Sequence, residues 1–339
     1  MYKDILAKVT NRETLAPEEI REFISAVAKD EVSDVQIAGF QVGLLMKGTE
    51  VSELAAFASA MRENCIPIRA NVPEEMMDTC GTGGGLSTFN ISTATALVAA
   101  SAGIPIAKHG SRSLSSLSGS ADVLEALGVN INLNSEQAAE LIEKIGIAFI
   151  YAPLFHPVMG KVLPPESELG IKTIFYTIIG PLINPAFAPR HLLGVYKPEL
   201  LDTVARVAKE IGYTRAMFVY GLDGLDEISL LGKTRINELK DGEIRTYEIA
   251  PEDFGLSRCK LEDIKTGTPE ENADTIRGVF SGEITGPRKD AIILNAAGAL
   301  VVGDKAADFG EGIALAKEII ESGRAQKKLE ELIDESNRF

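Results

Sequence analysis

Cysteine is scarce in this chain: Cys65, Cys80 and Cys259 are odd in number and widely spaced. They form neither a disulfide framework nor a metal-ligand pattern, and they fit a reducing compartment. Long apolar runs are also lacking. The longest weakly polar stretch, residues 94–107, is interrupted by Thr95, Ser101 and Gly103 and is too short to cross a bilayer. Positive charge is in deficit, with 34 basic against 49 acidic residues and a formal net charge of −15. That balance argues against a general nucleic-acid or anionic-membrane binder, which needs a basic face to displace counterions. A phosphorylated small molecule stays compatible, provided that its site is a local exception. No low-complexity run or internal repeat is visible. The first residues, MYKDILAKVTNRET, are charged and lack the apolar core of a secretion signal, which predicts a cytoplasmic protein. The Asn90-Ile91-Ser92 sequon therefore carries no meaning.

What is present suits a large globular chain. Its 339 residues exceed the usual size of a single core, so one large domain plus a smaller one is expected. Residues 1–70 carry helical periodicity and no strand signal. Ile20, Phe23, Ile24 and Val27 form one apolar stripe after Pro17. Ile37, Phe40, Leu44 and Leu45 form a second that Gly48 ends, and Leu54, Phe57, Ala58 and Met61 form a third.

From about residue 71 to 339 the texture changes to short apolar strands alternating with helices. Strands are expected at 104–107, 147–151, 192–196 and 216–220. Helices are expected at 121–127, 136–145 and 199–211, closed by Gly128, Gly146 and Gly212. Asn134 with Gln137 matches a capping pair. The alternation implies an α/β sheet covered on its faces. The proline-rich stretch 164–189 reads as irregular chain crossing between the two parts, some of it joining the helical one.

Three motifs carry chemistry. The first runs from Asp78 to Thr93, DTCGTGGGLSTFNIST, into an apolar helix. Glycines let a backbone approach a ligand closely, and Asn90, Ser92 and Thr93 stand where free helix amides attract anions. It reads as a phosphate or diphosphate cradle, or else as a tight turn with an N-cap. A dinucleotide fingerprint needs glycine where Leu86 stands, and a P-loop needs Gly-Lys-Ser/Thr; neither is present. The second, Lys108 to Ser120, follows a strand and gathers Lys108, His109, Arg112 and six serines. It is the local basic exception at a strand's end, where α/β proteins bind ligands; a plain serine-rich linker is the competing reading. The third, Asp223-Gly224-Leu225-Asp226-Glu227, offers adjacent carboxylates suited to Mg²⁺, or merely a solvated acidic turn.

In chain order, GTGG with TFNIST, KHG, SGSADVLEALG, GPLINPA, GLDEIS and ILNAAGAL make the sequence resemble the anthranilate phosphoribosyltransferases over essentially its whole length. The resemblance implies a homodimer whose subunit hinges a small helical domain to a larger α/β domain, the architecture shared with nucleoside phosphorylases. Phosphoribosyl diphosphate with Mg²⁺ is the implied donor and the amine of anthranilate the acceptor. Carried over by position, Gly81, Gly84, Thr88, Asn90, Ser92, Thr93, Lys108, Ser116 and Ser120 bind the donor. Ser92, Asp226 and Glu227 hold metal, and His109, Gly110, Ser111, Glu166, Tyr176 and Gly180 line the acceptor. No residue is assigned as a catalytic acid or base.

Four positions depart from the family pattern. Gly85 stands where an aspartate is usual, in a loop one residue shorter. Ser111 and Tyr176 each replace an asparagine, and Glu166 replaces an arginine that recognises the acceptor carboxylate. A carboxylate in place of an arginine fork repels such a group. Three explanations follow: Lys161 or Lys172 supplies the missing cation; the acceptor is another aromatic amine or N-heterocycle; or the chain binds without catalysis. Phosphorolysis of pyrimidine nucleosides is a further alternative on this architecture.

Overall fold

The computed structural model describes residues 2–113 and 117–339. Four helices open the chain: α1 (Tyr2–Thr10), α2 (Pro17–Ala28), α3 (Asp34–Lys47) and α4 (Val51–Glu63). Each expected stripe lies on one of them, with Pro17 as the first residue of α2. Ser33 caps α3 by accepting from the Gln36 amide, while Gln36 reaches back to the Ser33 amide. Leu45 is a correction: it is exposed, together with Val35, Val42 and Met46 along the same helix.

The remainder is built on a sheet of order β3-β2-β1-β4-β5-β6-β7. The strands are β1 (Met77–Gly81), β2 (Ile106–Gly110), β3 (Ile147–Tyr151), β4 (Arg190–Gly194), β5 (Arg215–Gly221), β6 (Thr234–Lys240) and β7 (Glu243–Ile249). β1 to β5 run parallel, and β6 and β7 are antiparallel additions. Helices α5 (Ile91–Ser101), α6 (Ser120–Ala126) and α7 (Ser135–Ile145) connect the early strands. Asn134 caps α7 as expected, and Gly146 closes it in the left-handed conformation at φ 78°.

The stretch 164–189 is more ordered than its prolines suggest. After α8 (Ala152–Phe155), helix α9 (Met159–Glu168) runs through Pro164 and Pro165; a π-helical turn follows at Phe175–Ile179, then α10 (Gly180–Leu182). Helix α11 (Pro198–Glu210) then connects β4 to β5. The edge hairpin of β6 and β7 escapes the periodicity reading, although its Asp241-Gly242 turn, with φ of 53° and 75°, is a strong hairpin signal. Beyond it come the short α12 (Leu261–Ile264) and four longer helices, α13 (Pro269–Ser281), α14 (Pro287–Val302), α15 (Phe309–Glu321) and α16 (Arg324–Ser336).

Two cores lie on opposite faces of the sheet because strand side chains alternate. Leu192, Met217 and Val219 point into a core with α5 and α13 to α16. Leu193, Ala216 and Phe218 point the other way, into a core with α1 to α4. Residues 158–183 contribute Val162, Phe175, Ile179 and Leu182 to that second core. Among the described residues no helix is long and apolar enough to cross a membrane.

Candidate active site

The parallel strands run outward in both directions from the β1–β4 pair, which makes a topological switch point there. In such sheets a crevice opens at the carboxyl ends of the strands on either side of that point. β1 ends in Gly81 and β4 in Gly194, and these two residues are paired. The glycine motif thus leaves the sheet at the crevice.

Its glycines are required by Asp226. A side-chain carbon on Gly81 would lie 2.5 Å from Asp226 Oδ2, and one on Gly194 would collide with the Asp226 carbonyl oxygen. One on Gly85 would lie 2.9 Å from the Gly224 carbonyl and 3.2 Å from Asp226 Oδ1. The Gly83 amide donates to Asp226 Oδ2 at 3.0 Å. Gly85 therefore has a local cause, since an aspartate there would meet both backbone and a second carboxylate.

Asp226 and Glu227 stand beside the start of α5, where the Ser92 amide donates to the Glu227 carboxylate. Burial raises the Asp226 carboxyl above its usual range. Burial and the neighbouring Asp226 push Glu227 up to about 8, with Lys108 opposing. Two adjacent buried carboxylates of this kind gain from a nearby cation, which favours their charged forms. A hard oxygen-seeking ion such as Mg²⁺ fits this donor set, with Ser92 alongside.

Lys108 is a second correction. It is not in a loop but in the middle of β2, and it is buried. Its ammonium donates to the Thr79 carbonyl at 2.7 Å and reaches Ser92 Oγ at 3.5 Å. Burial lowers its pKa, and Asp78 opposes that effect. Asp78 accepts from the Thr79 amide at 2.7 Å, the His109 amide at 3.1 Å and Asn184 Nδ2 at 2.8 Å. Burial nevertheless raises it to about 6.

The remaining expected residues divide. Asn90 precedes α5 and joins three segments, accepting from Ser118 Oγ at 3.1 Å and from Asn272 Nδ2 at 2.9 Å. Thr88 is bridged to Lys265, so that side of the loop is tethered. Thr93 is buried with its hydroxyl unpartnered among the described residues. Ser120 opens α6, and its hydroxyl donates to the Ser111 carbonyl at 3.4 Å. It also stands against Gly110, where a side chain would collide with it. Ser116 lies outside the described residues. Gly84 lies within the glycine loop against the Tyr196 ring, the Tyr176 hydroxyl stands near Gly83, and Gly180 closes the π turn by donating to the Phe175 carbonyl.

Glu166, which the resemblance places at the acceptor, is engaged within its own segment. It is buried, and its carboxylate accepts from the Thr173 amide at 2.5 Å and the Thr173 hydroxyl at 2.9 Å. Lys161 is engaged with Asp30 and the Ala28 carbonyl, away from the loops. Arg112 is taken up by Asp122 at 3.0 Å and Glu125 at 2.5 Å.

Sequence reasoning missed a buried polar layer beneath the loops. His109 Nε2 lies 3.1 Å from His156 Nε2, with the rings edge to face. Burial, then the neighbouring His156, holds His109 well below its usual pKa; burial brings His156 down to about 4. The pair is neutral, one ring donating and the other accepting. Cys80 Sγ lies 3.2 Å from His191 Nε2, whose pKa burial lowers to about 3. Asn184 Nδ2 also donates to the Ala107 carbonyl at 2.7 Å, stitching β2 to the crossing segment. Asn184 lies within the GPLINPA motif, but a histidine 47 residues from its partner leaves no local signal.

Two family models together match most of the chain. The helical bundle domain of the glycosyl transferase family matches residues 3–65, and its a/b domain matches residues 73–326. An anthranilate phosphoribosyltransferase of Desulfosudis oleivorans is 48% identical over 98% of this chain and 98% of its own. The chain belongs to the anthranilate phosphoribosyltransferase family. A relative of that name from Acetivibrio thermocellus is 46% identical over 100% of this chain and 98% of its own. The crystal structure of the family member from Thermus thermophilus has a TM-score of 0.92 at 41% identity, covering 98% and 99% of the two chains. The Saccharomyces cerevisiae family member in complex with PRPP and Mg has a TM-score of 0.90 at 29% identity, covering 100% and 98%.

Proposed function

We propose that the protein transfers the phosphoribosyl group of phosphoribosyl diphosphate to the amine of anthranilate and releases diphosphate. The observation that carries this reading is the meeting of the glycine loop, Lys108 and the Asp226–Glu227 pair at one crevice. Gly81, Gly84, Thr88, Asn90 and Ser120 surround the donor, with Thr93 shaping the first turn of α5 from beneath. Ser92, Asp226 and Glu227 hold Mg²⁺. When bound, the ion neutralises the diphosphate leaving group.

The chain itself mainly positions and stabilises charge. With the Gly83 amide held by Asp226 and the Ser92 amide by Glu227, the phosphate oxygens are left to the other glycine-loop amides, to Lys108 and to the positive end of α5. Lys108, fixed between Thr79 and Ser92, adds a positive charge that does not have to reorganise. The anthranilate nitrogen attacks the anomeric carbon as the bond from that carbon to diphosphate oxygen breaks. The neutral His109–His156 pair, Gly110, Ser111, Tyr176 and Gly180 border the acceptor side. Because Glu166 is turned onto Thr173, its replacement of an arginine places no exposed carboxylate against the acceptor.

Purified protein with both substrates and Mg²⁺ should release diphosphate in step with anthranilate consumption. Release only with a different aromatic amine or N-heterocycle, or free base from a pyrimidine nucleoside with phosphate, would replace this reading. We infer further that the enzyme is cytoplasmic and that the chain divides near residue 70, with part of 159–182 packing on the helical side. A homodimer is supported by the exposed apolar stripe Val35, Val42, Leu45 and Met46 on α3. Sedimentation should show twice the mass of the 36.3 kDa chain.

A further inference from the structure

The glycine loop is met from across the crevice by side chains that belong to none of its motifs. A carbon placed on Gly84, at φ 90°, would lie 3.5 Å from the Tyr196 ring and 3.9 Å from Lys172 Nζ. One placed on Gly83, at φ 66°, would lie 4.0 Å from the Tyr176 hydroxyl. Lys172 Nζ stands 4.8 Å from the centroid of the Tyr176 ring, and Lys197 Nζ 5.2 Å from that of Tyr196. In an acidic chain, two lysines each rest on a tyrosine beside the same two glycines.

Their placement has identifiable supports. The π turn Phe175–Ile179 presents Tyr176, and single π turns are frequent at functional sites. Glu166 clamps Thr173 by two hydrogen bonds, which fixes the backbone beside Lys172. The ring of Tyr176 favours a cation over its face.

The cations of the motifs themselves are already committed. Lys108 is buried and donates to the Thr79 carbonyl, and Arg112 is paired with Asp122 and Glu125. Behind the glycines stand Asp226 and Glu227, so an anion on this loop needs positive charge on its open side as well. Lys172 is exposed and, among the described residues, has no carboxylate within ion-pair distance.

We propose that Lys172 is a donor-binding residue whose ammonium, held over Tyr176, contacts the diphosphate lying on Gly83 and Gly84. Glu166 is its positioning residue, acting through Thr173. This inference rests on the transferase reading above and extends it to a cation from outside the three motifs.

The test is steady-state kinetics with Mg²⁺ on Lys172→Met and Lys172→Arg. Losing one charged contact to the leaving group is expected to raise the KM for phosphoribosyl diphosphate about tenfold, with that for anthranilate within about twofold. Lys172→Arg should restore most of the loss. Raising ionic strength should weaken donor binding less in Lys172→Met than in the wild type. An unchanged donor KM in an active Lys172→Met enzyme overturns the inference, as does a change in the anthranilate KM alone. If the wild type transfers nothing to anthranilate, the functional reading fails instead. Calorimetry with the donor and Mg²⁺ then decides Lys172 separately: binding weakened by Lys172→Met supports it, and unaltered binding refutes it.

Discussion

The Gly83 amide donates to Asp226 Oδ2 across 3.0 Å, joining residues 143 apart in sequence at one point of the crevice. Around this bond the loop after β1 and the turn after β5 are so close that glycine is the residue that fits at Gly81, Gly85 and Gly194. The Asp226 carboxylate is thereby held by the Gly83 amide at the crevice.

Gly194→Ala should displace Asp226, because the added methyl meets its backbone carbonyl. The expected cost is about 1–3 kcal/mol of stability with a large loss of turnover and of Mg²⁺ affinity. Gly160→Ala, where a carbon meets nothing within 4 Å, is the control and should be silent. Thermal melts and magnesium titrations read both; equal Mg²⁺ affinity in the two variants would remove the crowding argument.

Glu227 should link stability to pH in the ion-free protein. Its folded pKa, about 8, exceeds the ordinary value of 4.5, so the native state favours the protonated form. Its contribution is fully present below about pH 4.5 and is lost as pH rises through about 8. Mg²⁺ should therefore raise the melting temperature more at pH 8 than at pH 6, and Glu227→Gln should flatten the ion-free slope. A slope unchanged by that substitution contradicts the assignment.

The buried histidine pair predicts the opposite sign on the acid side. His156 falls from 6.5 to about 4, so its contribution is present above about pH 6.5 and is lost as pH falls through 4. The loss is roughly 3 kcal/mol at most. Acid melts of His156→Phe should show a shallower decline than wild type, and parallel curves would exclude the pair as an acid-sensitive element.

Glu166 makes a fourth case. Glu166→Ala leaves the Thr173 amide and hydroxyl without their buried acceptor, an expected cost of about 1–3 kcal/mol. The exchange that family resemblance suggests, Glu166→Arg with Ser111→Asn, should destabilise the fold rather than improve anthranilate turnover, because it buries an unpaired charge. Improved turnover at unchanged stability would mean that Glu166 does reach the acceptor.

Much of this is legible in the chain. Apolar periodicity places α2, α3 and α4, and Asn134 with Gly146 marks the ends of α7, because such signals act within a few residues. Glycines, serines and paired carboxylates locate the three motifs for the same reason. The limits of local reading show at Lys108, which reads as loop but lies buried in β2. They show again at 164–189, which reads as irregular but is helical around Pro164 and Pro165.

The sequence by itself determined the composition of each loop, the helix starts and stops, and the acidic balance against which local cations stand out. Tertiary structure decided which loops meet, because the strand order places β1 beside β4 across more than a hundred residues. It also turned Glu166 onto Thr173, paired His109 with His156 and brought Lys172 to Gly84. Pairing and packing at that range depend on the whole set of buried faces fitting together, and no window of neighbouring residues carries that information.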